Sequence, residues 1–569
     1  MSARRKQSKL RKSLSSEYLI LALIVALGLA LRLYHLQFYL DNGGLDSMWY
    51  THAGVKYSNG DWLTPRTTAK GPLLTLLLGL SMRIFGPTYM VTKFVSLIAG
   101  SLLPIIVFFL GSELFGKRVG LLSALIISIN PLLIFYHGLV YRETLYALTW
   151  TSCIYFALRG FKGNTLYSII GGVFFAFSSV TIELGIFAGM GFVLYFLFQK
   201  FLRSKEIRKV EYKNLDIFFL SGFLTLIPFI ARNYLAYNEP FIQWRSLEFL
   251  EAFVPIATST LMWVYVGLMA LSIPYALVFK VFRVRFRRRH QYSLNRLMSR
   301  HTKTIKISLF VFSIVISTLV IIYEVFKGPG PAAKVAMGLI KLLEVLAFPE
   351  SMGFLLILSV LTLIYVARSS SDVVLILFAL LFSAAGVAWG ITTHYGHWVG
   401  LSFDEILAYL PYSPLDNAFR YVSSYIPLLT IFAGYGIFLL AEKSTRKLIV
   451  STRKKAKKTR VLKTVMLCAL ISAVLFQFVY ADMLLRVKAR RDINSLQKRY
   501  EIVVNWLSKQ GSPAIYGFNP MLKEVYGEDR VVLLSDESLT DIAQRASDEK
   551  IKFIVSDIFG AYSDAQLAL

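Results

Sequence analysis

Read from its amino terminus, the chain alternates long apolar runs with short polar breaks, and the runs exceed what a core helix of a soluble protein needs. A run of about 20 apolar residues spans a bilayer. About thirteen such runs can be laid down, centred near residues 28, 101, 128, 150, 173, 192, 223, 269, 315, 359, 382, 431 and 471. The first keeps Arg32 near its end and has no small-residue cleavage site, so it reads as a retained helix and not as a removed signal peptide. Beyond the last run the pattern changes. The stretches "YEIVVNWLSKQGSPAIYGF", "DRVVLL" and "SDESLTDIAQRASDEKIKFIVSDI" alternate helical periodicity with short β-branched runs, and Ser538 is placed to cap "LTDIAQRA". The pattern predicts a polytopic α-helical membrane protein with a small C-terminal α/β domain. Its parts are a basic tail at 1–16, a transmembrane domain at 17–482 with a long loop at 40–90, and the α/β domain at 490–569.

Composition agrees with that class: 56% of the residues are hydrophobic and 14% aromatic, which cannot be arranged as a soluble globule with a polar skin. The net charge of +28 raises the question of nucleic acid, and its distribution answers it. Residues 1–14, 280–306 and 442–463 hold nearly all of the excess, and with an odd number of spans they fall on one side of the membrane together with Lys117, Arg118, Arg159, Lys162, the 200–213 cluster and Arg368. This is the positive-inside pattern, with basic loops touching anionic lipid and no nucleic-acid partner. It predicts a multi-pass plasma-membrane protein whose N-terminus is cytoplasmic and whose C-terminal domain is extracytoplasmic. The opposite loops, 40–90, 135–143, 232–257, 326–350 and 392–419, are aromatic and mixed in charge.

The two cysteines, Cys153 and Cys468, each lie inside a span and read as packing residues, so no disulfide framework or cysteine-based metal site is available. There is no phosphate-binding glycine loop, no dinucleotide fingerprint and no His-Glu-x-x-His. Of the seven histidines, only His394 and His397 in "THYGHWVG" are close enough in sequence to share a site, and they suit loop packing or substrate hydrogen bonding better than metal binding.

The chemistry-bearing stretch is "LDSMWYTHAGVKYSNGDWLTPRTTAKGPLL", residues 45–74, in the first outer loop. A short helix is predicted from Asp46 to the Asn59-Gly60 stop, with Asp46 and Tyr50 one turn apart on one face and Trp49 beside them. After the Thr64-Pro65-Arg66 turn, Lys70-Gly71-Pro72 leads into "PLLTLLLGLSMRIF", Pro72 taking the first helical position, and a lysine just ahead of a helix N-terminus suits a phosphate. A second carboxylate, Glu143, stands beside Arg142 at the outer mouth of the third and fourth spans. Arg232, next to Asn233 in "PFIARNYLAYNEPF", and Arg420 in "DNAFRYVSSYIPLL" stand at other outer span ends. These arginines are expected at a wet rim outside the helix core. The inside-positive rule gives no reason for them there, and a lipid phosphate is the simplest anionic partner.

With these residues the chain resembles the GT-C membrane glycosyltransferases of the dolichyl-phosphate-mannose protein mannosyltransferase superfamily, near the aminoarabinose transferase and the glycosyltransferase 39 group. "NGDWLTPR" followed by "KGPLL" is the specific part. Asp46, the Arg142-Glu143 pair, "RNYLAYNEPF" and "FRYVSSYIPLLTIFAGYG" extend the likeness over nearly the whole chain. Asp46 is followed by Ser47 where the family often has Asp-Glu, Lys70-Gly71-Pro72 stands for Lys-Pro-Pro, and Glu143 stands where many relatives have Asp. A Trp-Trp-Asp motif is missing, which argues against the related oligosaccharyltransferases.

The resemblance implies transfer of one sugar from a polyprenyl-phosphate donor to a hydroxyl of a protein, lipid or glycan acceptor on the outer face. Asp46 would be general base with Glu143 as the second catalytic carboxylate. Lys70, Arg142, Arg232, Arg66 and Arg420 would hold the phosphate, and Tyr50, Trp49, Asn233 and His394 would contact the substrates. No cofactor is required, although Asp46 and Glu143 could together hold a divalent ion. The competing classes are a transporter or flippase of lipid-linked saccharides, which would place ionisable groups at the midplane, and a noncatalytic subunit of a glycosylation complex.

Overall fold

The computed structural model describes residues 2–36, 45–61, 72–182, 185–202, 209–237, 342–343, 345–348, 351–367, 370–394, 422–449, 461, 464–483, 515–517, 531–533 and 553–555. They form a multi-pass helical bundle. Its helices are α1 Ser2–Leu36, α2 Leu45–Ser58, α3 Pro72–Phe85, α4 Tyr89–Phe115, α5 Lys117–Ile129, α6 Pro131–His137, α7 Arg142–Phe161, α8 Thr165–Thr181, α9 Gly185–Leu202 and α10 Lys209–Tyr237. They continue with α11 Phe354–Ala367, α12 Ser371–His394, α13 Ile426–Ile449 and α14 Thr464–Met483.

Among the described residues four helices are long and apolar enough to cross a bilayer, Ser16–Leu36, Met90–Phe115, Tyr212–Leu235 and Thr464–Met483, with the bent pair α5 and α6 as a fifth. Every span centre expected from the apolar pattern that falls on described residues lies inside a helix, and those near 269 and 315 lie outside them. The helix α1 begins at Ser2, within the basic stretch, and runs on into the first span, Ser16–Leu36. Residues 2–27 contain neither glycine nor proline, so nothing in the backbone interrupts the helix. Near the carboxyl end the strands β1 Ile515–Gly517, β2 Val531–Leu533 and β3 Phe553–Val555 pair in parallel in the order β2-β1-β3. The rest of 490–569 lies outside the described residues.

Local chemistry explains the breaks. At the end of α2 the Asp61 amide donates to the Lys56 carbonyl and the Gly60 amide to that of Tyr57, with Gly60 at φ +91°. This double bond closes a helix around a left-handed residue. Between α5 and α6 the axis turns by 59°. Asn130 caps α6 by accepting from the Leu133 amide at 3.0 Å, Pro131 takes the first helical position, and Asn130 Nδ2 donates to the Ser351 carbonyl at 2.7 Å. Helices approach closely where a side chain is missing: α4 and α5 cross at Gly111 and Gly120, and a Cβ on Gly120 would lie 2.5 Å from the Phe108 carbonyl oxygen.

Charged contacts sort to the two ends of the bundle. At one end, Glu17 of α1 pairs with Lys117, Glu113 of α4 meets Lys162 at 2.9 Å and Arg159 at 3.7 Å, and Lys162 reaches Asp372 of α12 at 2.8 Å. The Lys162 ammonium is raised above its ordinary pKa: burial lowers it, but the hydrogen bonds to Asp372 and Glu113 outweigh that. At the other end stand His35 with Asp482, Arg32 with His137, and Arg142 with Glu143. Lys117, Arg159 and Lys162, from loops expected on one side of the membrane, thus share one end.

Candidate functional site

The first turn of α7 is the centre of the polar end. Gly138 closes α6 with its amide on the Phe135 carbonyl, Leu139 donates to that of Tyr136, and the chain turns through an extended Tyr141 into α7. Arg142 and Glu143 are therefore the first residues of that helix. Glu143 is completely buried and Arg142 is 7% exposed, with Arg142 Nε 3.9 Å from Glu143 Oε1. The expectation of a wet rim is corrected here. The turn from α6 folds back between helices, and the whole stretch 130–147 is buried, so the pair faces protein and not headgroups. A carboxylate in the first turn of a helix is favoured by the helix dipole, and its guanidinium neighbour offsets its desolvation. One turn on, Tyr146 stacks at 6.1 Å on Trp150, both fully buried.

The helix predicted around Asp46 is α2, and it begins at Leu45. Tyr50, Ala53 and Tyr57 form a buried stripe, and the register places position 46 one turn ahead on the same stripe. The helix is pressed onto α3: a Cβ on Gly79 would come 2.4 Å from Tyr57 Cβ and 3.1 Å from the Gly54 carbonyl oxygen. Pro72 starts α3 as expected, and at about 21 Å that helix is too short to span a bilayer. The pair α2 and α3 therefore belongs to the connection between the first two spans.

Arg232, in the last turns of α10, lies over the Tyr57 ring at 5.7 Å from its centroid and donates from Nη1 to Asn233 Oδ1 at 2.8 Å. The tertiary fold thus brings α10 to the helix that carries Asp46. Ahead of α13, the Tyr425 hydroxyl is 2.9 Å from Ser383 Oγ, which joins this segment to α12. Arg66, Lys70 and Arg420 lie outside the described residues, as do the side chains of Asp46, Trp49 and His394.

Sequence reasoning did not single out a second polar group at this end. Arg32 is fully buried; its Nε donates to His137 Nδ1 at 2.9 Å and its Nη1 to the Gly28 carbonyl at 2.8 Å. Lys93, near the start of α4, is only 1% exposed. The signal for both is a cation at the span end opposite the basic loops, against the inside-positive bias. Among the described residues no three His, Cys, Asp or Glu side chains come together.

Residues 69–231 match the family described as dolichyl-phosphate-mannose-protein mannosyltransferase, a stretch that holds α3 to α9 and most of α10, with Arg142 and Glu143, and ends just before Arg232. That match covers less than a third of the chain. Its fold is similar to that of the archaeal oligosaccharyltransferase AglB from Archaeoglobus fulgidus, solved with an inhibitory peptide and a dolichol-phosphate. The identity is 15% and the TM-score 0.54, over 95% of this chain and 69% of that one. The same organism's oligosaccharyltransferase tethered to an acceptor peptide with an NVT sequon gives 15% identity and a TM-score of 0.53, over 92% of this chain and 59% of that one. The chain thus spans about three fifths to two thirds of the length of those neighbours. ArnT from Cupriavidus metallidurans, bound to undecaprenyl phosphate, aligns over 94% of this chain and 89% of its own at 14% identity and a TM-score of 0.37, too slight a likeness to argue from. No curated protein matches the chain. The likeness to oligosaccharyltransferases is one of fold, and a shared fold does not carry an activity with it.

Proposed function

We propose that the protein transfers a single sugar, with inversion, from a polyprenyl-phosphate-linked donor to an acceptor hydroxyl at the outer face of the plasma membrane. The N-terminus is then cytoplasmic and the C-terminal domain extracytoplasmic. The observation that carries this reading is the buried Arg142-Glu143 pair in the first turn of α7, within the segment that matches the mannosyltransferase family. An oxocarbenium-like transition state needs a carboxylate to take the proton of the attacking hydroxyl, and Asp46 has that role. The leaving group is a lipid phosphate whose charge grows as the bond breaks, so cations must stand ready: Arg142 and Arg232, with Arg66, Lys70 and Arg420. Tyr50 and Trp49 hold the sugar, Asn233 and His394 contact the substrates, and Glu143 orients Arg142. The acceptor is a protein, lipid or glycan.

The test is release of undecaprenyl phosphate from undecaprenyl-phosphate-linked sugars by the purified protein, together with mass spectrometry of the lipids that co-purify with it. Sugar-dependent release lost in Asp46→Asn supports the reading. A folded protein that binds the lipid but releases nothing from any donor sinks it in favour of a noncatalytic subunit. In this reading the cations do the work a metal would do, so EDTA is expected to leave turnover unchanged; loss of turnover restored by a divalent ion would instead assign Asp46 and Glu143 to a metal.

A further inference from the structure

The outer end of α1 leads into the connection that carries Asp46, while the turn after α6 leads into Arg142 and Glu143. A hydrogen bond ties the two. Arg32 Nε donates to His137 Nδ1 at 2.9 Å, and both side chains are buried, at 0% and 1% exposure. Arg32 is itself held, by the Gly28 carbonyl at 2.8 Å and the Ser128 carbonyl at 3.3 Å. His137 is also packed closely against α4, since a Cβ on Gly100 would fall 2.2 Å from its Nδ1. As the acceptor for a guanidinium, His137 is neutral and carries its proton on Nε2. It closes the short helix α6, which the Asn130-Pro131 bend sets at 59° to α5.

We propose that Arg32 and His137 are positioning residues, whose hydrogen bond sets the place of the Arg142-Glu143 turn relative to the α1 end that leads to Asp46. The proposal rests on the functional reading above for its consequence in activity, but not for its structural content. Burying an arginine in a span is costly, and a site that only needed packing would be served by an apolar residue. The bond is made between residues 105 positions apart in sequence.

The test uses the full-length protein in detergent or nanodiscs and compares His137→Asn with His137→Leu. An asparagine places its side-chain oxygen close to where Nδ1 stands and keeps the acceptor; leucine fills the space without one. Amide hydrogen exchange over residues 139–146, affinity for undecaprenyl phosphate, single-turnover release of that lipid and the melting temperature are measured on each. In His137→Leu, exchange over 139–146 is expected to rise and single-turnover release to fall by about tenfold, the least that a hydrogen bond to a charged group is worth. His137→Asn restores both while melting close to His137→Leu. A purely structural role would lower the melting temperature of both variants alike and leave exchange at 139–146 in step with the rest of the bundle. Either that pattern, or unchanged exchange and release in a folded His137→Leu protein, overturns the proposal. If the wild type releases nothing from any donor, the functional reading fails, and the exchange comparison still decides this one.

Discussion

Glu143 differs from an ordinary interfacial acid because it is completely buried with a guanidinium as its near neighbour. Removing one partner of such a pair leaves an uncompensated charge and costs about 3–5 kcal/mol. Arg142→Ala is therefore expected to lower the melting temperature sharply, and Arg142→Lys, which keeps the charge, is the better probe: weaker undecaprenyl phosphate binding with the melt largely preserved. A melt unchanged in Arg142→Ala would show that the pair is not what holds the turn. Asp46→Asn keeps the size of the side chain but cannot take a proton. Turnover is expected to fall by about two to four orders of magnitude, the usual loss for a general base, with donor affinity kept. Transfer near the wild-type rate would move the base to Glu143.

At the level of elements, the short pair α2 and α3 decides where position 46 sits. Its closest crossing is Gly79 against Tyr57, the residue whose ring also receives Arg232 of α10. Gly79→Ala inserts a methyl where none fits and is expected to destabilise by about 1–3 kcal/mol. Because the displaced helix carries Asp46, Tyr50 and Tyr57, donor affinity should weaken as well. Calorimetry and lipid titration on one preparation check both; a destabilised variant with unchanged affinity would separate the crossing from the site.

For the whole molecule, the ion pairs among Glu17, Lys117, Glu113, Arg159, Lys162 and Asp372 gather at one end, while His35 with Asp482 and the α7 pair gather at the other. Their side of the membrane is testable. With Cys153 and Cys468 replaced by alanine, cysteines at Ser13, Arg288 and Lys455 should be shielded from a membrane-impermeant thiol reagent in intact cells, and one at Ser535 should be labelled. Labelling at 535 only after permeabilisation would reverse the orientation and with it the outer-face reaction.

What the sequence by itself determined is what local physics controls. Apolar runs placed the helices because lipid demands them, Asn59-Gly60 stopped α2 because a left-handed residue was needed there, and Pro72 opened α3 because its missing amide costs nothing at that position. Asp46 and Tyr50 shared a face because the helical period puts them there. The tertiary structure decided which distant groups meet. Arg32 and His137 stand 105 residues apart, and Arg232 of α10 found Tyr57 of α2. No periodicity links such positions, since an apolar pattern reports which face avoids lipid but not which neighbour it meets. The burial of Arg142 and Glu143 was misread for the same reason: a charged pair at the end of a span looks like a rim residue until the turn that precedes it is seen to fold back between the helices.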